Sequence, residues 1–327
     1  MRKVAILALF LALAMGVVAH AAEFNLTVAH IVDENNSWHR ASVFFKEELE
    51  KRSNGRIAVT VYPNSQLGSE IDQIQSALTG GGVDIVITGE SMMTYVRELG
   101  ILGVPYLMTS DEHMVKVAGG EIGKEIEELM MMGGDGFRCL AYFVRGPRNV
   151  TSNKPIRTPD DIKGVIIRTP ASTITVATFE AFGAKPTPMA FAEVFTSLQS
   201  GAIQAQENPL AMIKTGNFYE VQKYLNKTEH LRTWIYFAIA ERAFQSLPAD
   251  LQKLVAEVGK EMQDYERKLF YADEAKLADE LKATGMEFVE DVDQAAFAKL
   301  ANDAMQKLMA GEYSYLKPLY DKIKAAE

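Results

Sequence analysis

Five segments near the start of the chain alternate between the periodicities of strand and helix, and that alternation limits the fold more than any single residue does. Phe24 to Val32 reads as a strand, Ser37 to Arg52 sets Ala41, Phe44, Phe45 and Leu49 at helical spacing, and Ile57, Val59 and Val61 alternate before Pro63. Ser69 stands where a helix cap is needed, ahead of Ile71, Ile74, Ala77 and Leu78. Gly80-Gly81-Gly82 ends that helix before a short apolar strand from Val83 to Thr88. A β-α-β-α-β order implies the α/β class: a partly parallel sheet covered by helices, with ligands bound beyond the carboxyl ends of the strands.

A second set follows. A helical stretch from Asp111 to Met132 and an apolar strand from Phe137 to Phe143 lead to Gly146, where a further α/β unit begins. Its signals are a strand from Gly164 to Arg168, helices from Ser172 to Phe182 and Phe191 to Leu198, and a strand from Ala202 to Gln206. After a strand near Leu231 to Ile239, Ser246 as cap and Pro248 in the first turn open a helical period that runs from Leu251 to Leu281 and stops at Gly285. Such a helix is on the order of 50 Å long at 1.5 Å per residue. That overreaches one small domain, so it is expected to span two.

Residues 1–22 read as a cleavable secretory signal: Met1-Arg2-Lys3 is a basic head, Val4 to Val18 is apolar, and Ala19-His20-Ala21 is a small-x-small site. The apolar run is shorter than the roughly 20 residues that span a bilayer. Losing Arg2 and Lys3 takes the net charge from −9 to −11, which argues against nucleic acid or an anionic membrane surface as partner. An anion would be repelled at long range, so an anion site must bring its own fixed positive groups. Cys139, the single cysteine, lies in an apolar strand and reads as core.

Signatures of catalysis are missing. The five histidines lack metal-ligand spacing, there is no C-x-x-C or G-x-S-x-G, and Gly119 to Lys124 is followed by Glu125 where a phosphate loop needs Ser or Thr. No metal, cofactor or catalytic residue is expected. What stands out instead is Gly146-Pro147-Arg148-Asn149, Ile167-Arg168-Thr169-Pro170 and Gln206-Glu207-Asn208-Pro209: two arginines and an asparagine, each at the lip of a strand signal. A guanidinium offers two parallel N–H donors to a carboxylate's two oxygens, which a lysine cannot. By themselves, strand-end arginines are more often solvated or structural than ligand-holding.

Ser65-Gln66-Leu67-Gly68, Thr151-Ser152-Asn153-Lys154-Pro155, Ile167-Arg168-Thr169-Pro170, the run Pro186 to Phe195, Gln206-Glu207-Asn208-Pro209 and Phe218 to Lys223 occur in an order that resembles the substrate-binding proteins of tripartite ATP-independent periplasmic (TRAP) transporters. The similarity covers the whole mature chain and points to the C4-dicarboxylate-binding family, nearest its sialic-acid and sugar-acid binders. The resemblance implies an α/β, two-lobed periplasmic binding protein of the class II type, with lobe I at 23–145 plus 234–273 and lobe II at 146–233 plus 274–327. It also implies a monomer that captures a small carboxylate in an inter-lobe cleft and delivers it to a sodium-driven membrane permease. Arg168 would grip the carboxylate bidentately, Arg148 would stand near the same group, and Asn208 would donate from the opposite wall. Hinges are expected around Phe143 to Gly146 and Arg232 to Ile235. The alternatives are a periplasmic enzyme acting on an organic acid in the same cleft, or a module presenting its ligand to a sensor.

Other positions stay open between site and scaffold. Glu90 is either a contact on the ligand's polar side or a solvated loop acid, His30 either reaches the cleft or is structural, and Phe191 is either cleft wall or core. Glu193 is expected to support an arginine from behind. Trp38 and Trp234 depart from the sugar-acid binders' pattern and either face the cleft or fill the core; two cleft tryptophans would favour a ligand with a flat or apolar body.

Overall fold

In the computed structural model, which describes residues 22–327, the first five signals fold in the expected order. They form β1 (Phe24–Ala29), α1 (Ser37–Arg52), β2 (Ile57–Tyr62), α2 (Glu70–Thr79) and β3 (Ile85–Thr88). Ser69 caps α2 in a capping box with Asp72, and Gly80 ends the helix at φ 78°, a left-handed conformation that glycine adopts without strain. The signal-peptide reading falls on residues 1–21, outside the described residues.

The stretch expected as one helix is two, α3 (Asp111–Ala118) and α4 (Glu121–Met130), because Gly120 is extended (φ −100°, ψ −166°) and turns the chain between them. β4 (Phe137–Val144) and β5 (Arg148–Ser152) follow. Then come β6 (Ile166–Thr169), α5 (Thr173–Ala181), β7 (Lys185–Pro188), α6 (Val194–Gln199), β8 (Ala205–Asn208) and α7 (Leu210–Thr215). The single strand expected near Leu231 to Ile239 is also two, β9 (Tyr224–Leu231) and β10 (Trp234–Ala240). A short α8 (Glu241–Gln245) precedes the long α9 (Ala249–Ala283), whose cap is Pro248 and not Ser246. β11 (Glu287–Val289), α10 (Gln294–Met309) and α11 (Lys317–Ala325) complete the chain.

These strands make two mixed sheets, the two-lobed α/β architecture. The first has the order β2-β1-β3-β10-β4 and the second β11-β9-β5-β8-β6-β7. Two adjacent chain segments join them: Arg145–Pro147 carries β4 into β5, and Arg232–Thr233 carries β9 into β10. Trp234 pairs with Val144 on one side of the crossing and Leu231 with Arg148 on the other. α9 is the third connection. Leu251, Val255, Val258, Met262 and Phe270 pack in the first sheet's core, while Leu281 packs in a cluster under the second. The tail divides as well. Phe297 and Ala301 of α10 fill the second side, whereas Met305, Met309 and then Leu319, Tyr320 and Ile323 of α11 return to the first core.

Candidate functional site

Three neighbouring strands of the second sheet bring their lips to one place. β5 is antiparallel to β8, with Asn149 opposite Asn208, and β6 is parallel to β8, with Arg168 opposite Gln206. The start of β5 therefore lies beside the ends of β6 and β8, and Arg148, Arg168 and Asn208 meet there. Facing them from the first sheet's side are the start of α2 with Ser69 and Glu70, the turn after β3 with Glu90 and Ser91, and Trp38. The cavity between them is about 380 Å³, within the roughly 300–1,000 Å³ of small-ligand sites. Local capping sets that wall: the Asn36 side chain accepts the Trp38 N–H at 3.0 Å and fixes the start of α1.

The two arginines are held differently. Arg148 spends its fork on Glu207: Nη2 donates to Oε1 at 2.6 Å and to the Glu207 carbonyl oxygen at 2.9 Å, while Nε donates to Oε2. Burial opposes its charge, yet the Glu207 carboxylate, joined by Glu90 and Glu70, holds the guanidinium above its usual pKa. Glu207, fully buried, is in turn held down to about 2 against burial by Arg148, and also bonds His230 Nε2 at 3.1 Å. Among the described residues, Arg168 has no carboxylate within ion-pair distance. Its Nε and Nη2 both donate to the Met189 carbonyl oxygen, at 2.9 and 2.7 Å, which clamps one edge of the guanidinium and leaves Nη1 without a hydrogen-bond partner among the described residues. Burial, reinforced by Arg148 and only partly offset by Glu207, pulls it down to about 10. A buried cation without a counter-ion is costly, and a ligand carboxylate is the group that would relieve the cost.

Across the cavity, Arg145 from the first crossing segment pairs with Glu90 Oε2, and Arg148 Nη1 lies 3.5 Å from Glu90 Oε1. Burial opposes the Glu90 charge, but Arg145 and Arg148 prevail and lower its pKa. Glu70 accepts the Thr88 hydroxyl at 2.7 Å, and burial, then repulsion from Glu90, raises its pKa.

Of the positions singled out in the sequence, Arg148, Arg168, Asn208, Glu90, Phe191 and Trp38 line this cavity. His30 and Trp234 do not. His30 is fully buried beside His39 (Nε2 to Nδ1 3.1 Å), and burial drives its pKa down to about 3. Trp234 opens β10, and strand alternation turns its neighbour Ile235 into the cavity instead, so one tryptophan and not two borders the ligand space. Asn208 stands on the same wall as both arginines, its Nδ2 donating to Gln206 Oε1 at 2.7 Å, not on the opposite one. Glu193 also lines the cavity, but it is exposed and bonds no arginine among the described residues; the supporting role expected of it falls to Glu207. Sequence reasoning misses Arg145, Glu70 and Glu207. Glu207 lies inside the Gln206-Glu207-Asn208-Pro209 motif, and Arg145 lies three residues before Arg148 in the expected hinge, so position alone could have flagged both.

Residues 28–312 match the bacterial extracellular solute-binding proteins of family 7. The chain belongs to that family. A solute-binding protein of Roseobacter denitrificans is 45% identical over 93% of this chain and 92% of its own length. Its structure as a TRAP periplasmic solute-binding protein with bound L-galactonate superposes with a TM-score of 0.87, covering 92% of this chain and 99% of that one. The 2,3-diketo-L-gulonate-binding periplasmic protein of Escherichia coli is 33% identical over 84% of this chain and 83% of its own. A TRAP periplasmic solute-binding protein of Sulfurospirillum deleyianum with bound succinate is 29% identical, TM-score 0.85, covering 94% of this chain and all of the other. This family 7 protein is thus a periplasmic transport receptor for a small organic acid and not an enzyme.

Proposed function

We propose that the protein captures a sugar acid, an aldonate foremost, with its carboxylate on Arg168 and Asn208 and its hydroxyl-bearing chain toward Glu70, Glu90 and the serines of the first lobe. The observation that carries this is Arg168: buried, clamped by Met189, lining the cavity and without a carboxylate partner among the described residues. L-Galactonate and 2,3-diketo-L-gulonate, named for two relatives, are six-carbon acids with a single carboxylate. Trp38, Phe191 and Ile235 supply the apolar surface that the carbon chain lies against. The lobes divide at Arg145–Pro147 and Arg232–Thr233, with residues near 305–323 belonging to the first lobe. They close as rigid bodies on the ligand, and the closed monomer docks on the membrane permease.

Calorimetry with L-galactonate tests the reading. Binding is expected, and Arg168→Ala lowers affinity at least about tenfold, the loss of one charge-assisted pair. Unchanged affinity in Arg168→Ala removes the central residue, and no heat from any aldonate or uronate removes the ligand class.

A further inference from the structure

Three arginines line the cavity, and two of them already have carboxylate partners. Arg148 is neutralised by Glu207 and Arg145 by Glu90, which leaves Arg168 as the lining arginine with no carboxylate partner among the described residues. The first-lobe wall then carries a second carboxyl group, Glu70, whose bonds among the described residues are to the Thr88 hydroxyl at 2.7 Å and the Gly89 N–H at 3.4 Å and to no cation. Beside it, Ser65, Ser69 and Ser91 also line the space. That wall offers acceptors and hydroxyls, which suit the O–H groups of a polyol chain. A second ligand carboxylate would face Glu70 and Glu90 with water expelled and every arginine already engaged, a like-charge contact in a low-dielectric site.

We propose that Glu70, together with Glu90, makes the receptor selective for monocarboxylates, so that it rejects the dicarboxylate built on the same carbon skeleton. The inference rests on the sugar-acid reading above. The fold itself does not impose it, since a relative with the same architecture holds succinate; the wall residues of this chain do. Burial and Glu90 raise the pKa of Glu70, so bringing a further anion to this wall favours the protonated acid and makes affinity for a dicarboxylate improve as pH falls.

The test is calorimetry at pH 8 with L-galactonate and with galactarate, the same chain oxidised at C6, on the wild-type protein and on Glu70→Gln, which keeps an acceptor for Thr88. Galactarate is expected to bind at least ~100-fold more weakly than L-galactonate to wild type, and Glu70→Gln to narrow the ratio by about tenfold or more. Equal affinities in wild type, or a ratio untouched by Glu70→Gln, overturn the selectivity while the sugar-acid reading stands. Binding of neither acid overturns that reading and this inference with it. The wild-type comparison needs no variant, so the two acids still decide for or against the selectivity where Glu70→Gln fails to fold.

Discussion

Arg168 and Glu207 are both buried and charged, but their removal should act in opposite directions. Glu207 is the main counter-ion of Arg148, so Glu207→Gln leaves the buried guanidinium only the longer contact with Glu90, already paired with Arg145; breaking such a pair costs roughly 3–5 kcal/mol, and a large fall in melting temperature is expected. Arg168 has no counter-ion among the described residues, and its pKa, lowered to about 10 by burial first, means that the ligand-free fold disfavours its charge. Arg168→Met should therefore leave the ligand-free melting temperature unchanged or higher while abolishing the rise that L-galactonate produces. Thermal melts of the two variants with and without the acid decide it: a fall in Arg168→Met as large as that in Glu207→Gln would show that Arg168 holds the fold and not the ligand. The contrast was only half legible in the sequence. A strand-end arginine beside Thr-Pro marks a candidate, but the carboxylate that neutralises Arg148, and the carbonyl that clamps Arg168, come from residues 59 and 21 positions away.

At the level of elements, α1, α2 and the parallel strands of the first sheet are readable because their apolar periodicity is unbroken. β9 is not, because Asn226, Thr228 and His230 take its inward positions. They are satisfied there by bonds no periodicity reveals: Asn226 serves Ile156, Val150 and Ser152, and His230 joins Thr228 to Glu207. The long helix hides a similar polar group. Glu266 is fully buried in α9, with Ser37 Oγ donating to Oε1 at 2.8 Å and Oε2 without a partner, and burial raises its pKa to about 8. Its folded-state pKa lies above the unfolded value, so the native helix keeps a proton that the unfolded chain releases. The stabilising contribution is complete below the ordinary carboxylate range and is lost as pH rises through about 8, with a slope of at most about 1.4 kcal/mol per pH unit. Glu274, raised to about 7 first by burial and then by Asp111, adds a like slope that ends one unit lower. Glu266→Gln should therefore flatten the stability profile most clearly between pH 7 and 8. Urea unfolding across pH 5 to 9 reads this out, and a variant profile parallel to wild type would mean that Glu266 is ionised in the fold.

For the molecule as a whole, the problem is to attract a small anion with a body that repels it. The chain carries a net charge of −9, and Arg168 is the cavity-lining arginine with no carboxylate partner among the described residues. These two fields have different reach. In 10 mM salt the Debye length is about 30 Å and the ligand meets the repulsion of the entire surface, whereas at 150 mM it is about 8 Å and distant carboxylates are screened. The buried pair with Arg168 forms after water has left and is screened far less. Raising salt should therefore speed association while changing dissociation little, the reverse of the usual steering of a ligand toward an oppositely charged partner. Stopped-flow tryptophan fluorescence can follow it, because Trp38 borders the cavity while Trp234 is sealed in the core. An association rate for L-galactonate that falls between 10 and 150 mM salt would mean that the arginines' field reaches past the cleft and dominates the encounter; a rise fixes their role as a short-range grip that acts once the lobes begin to close.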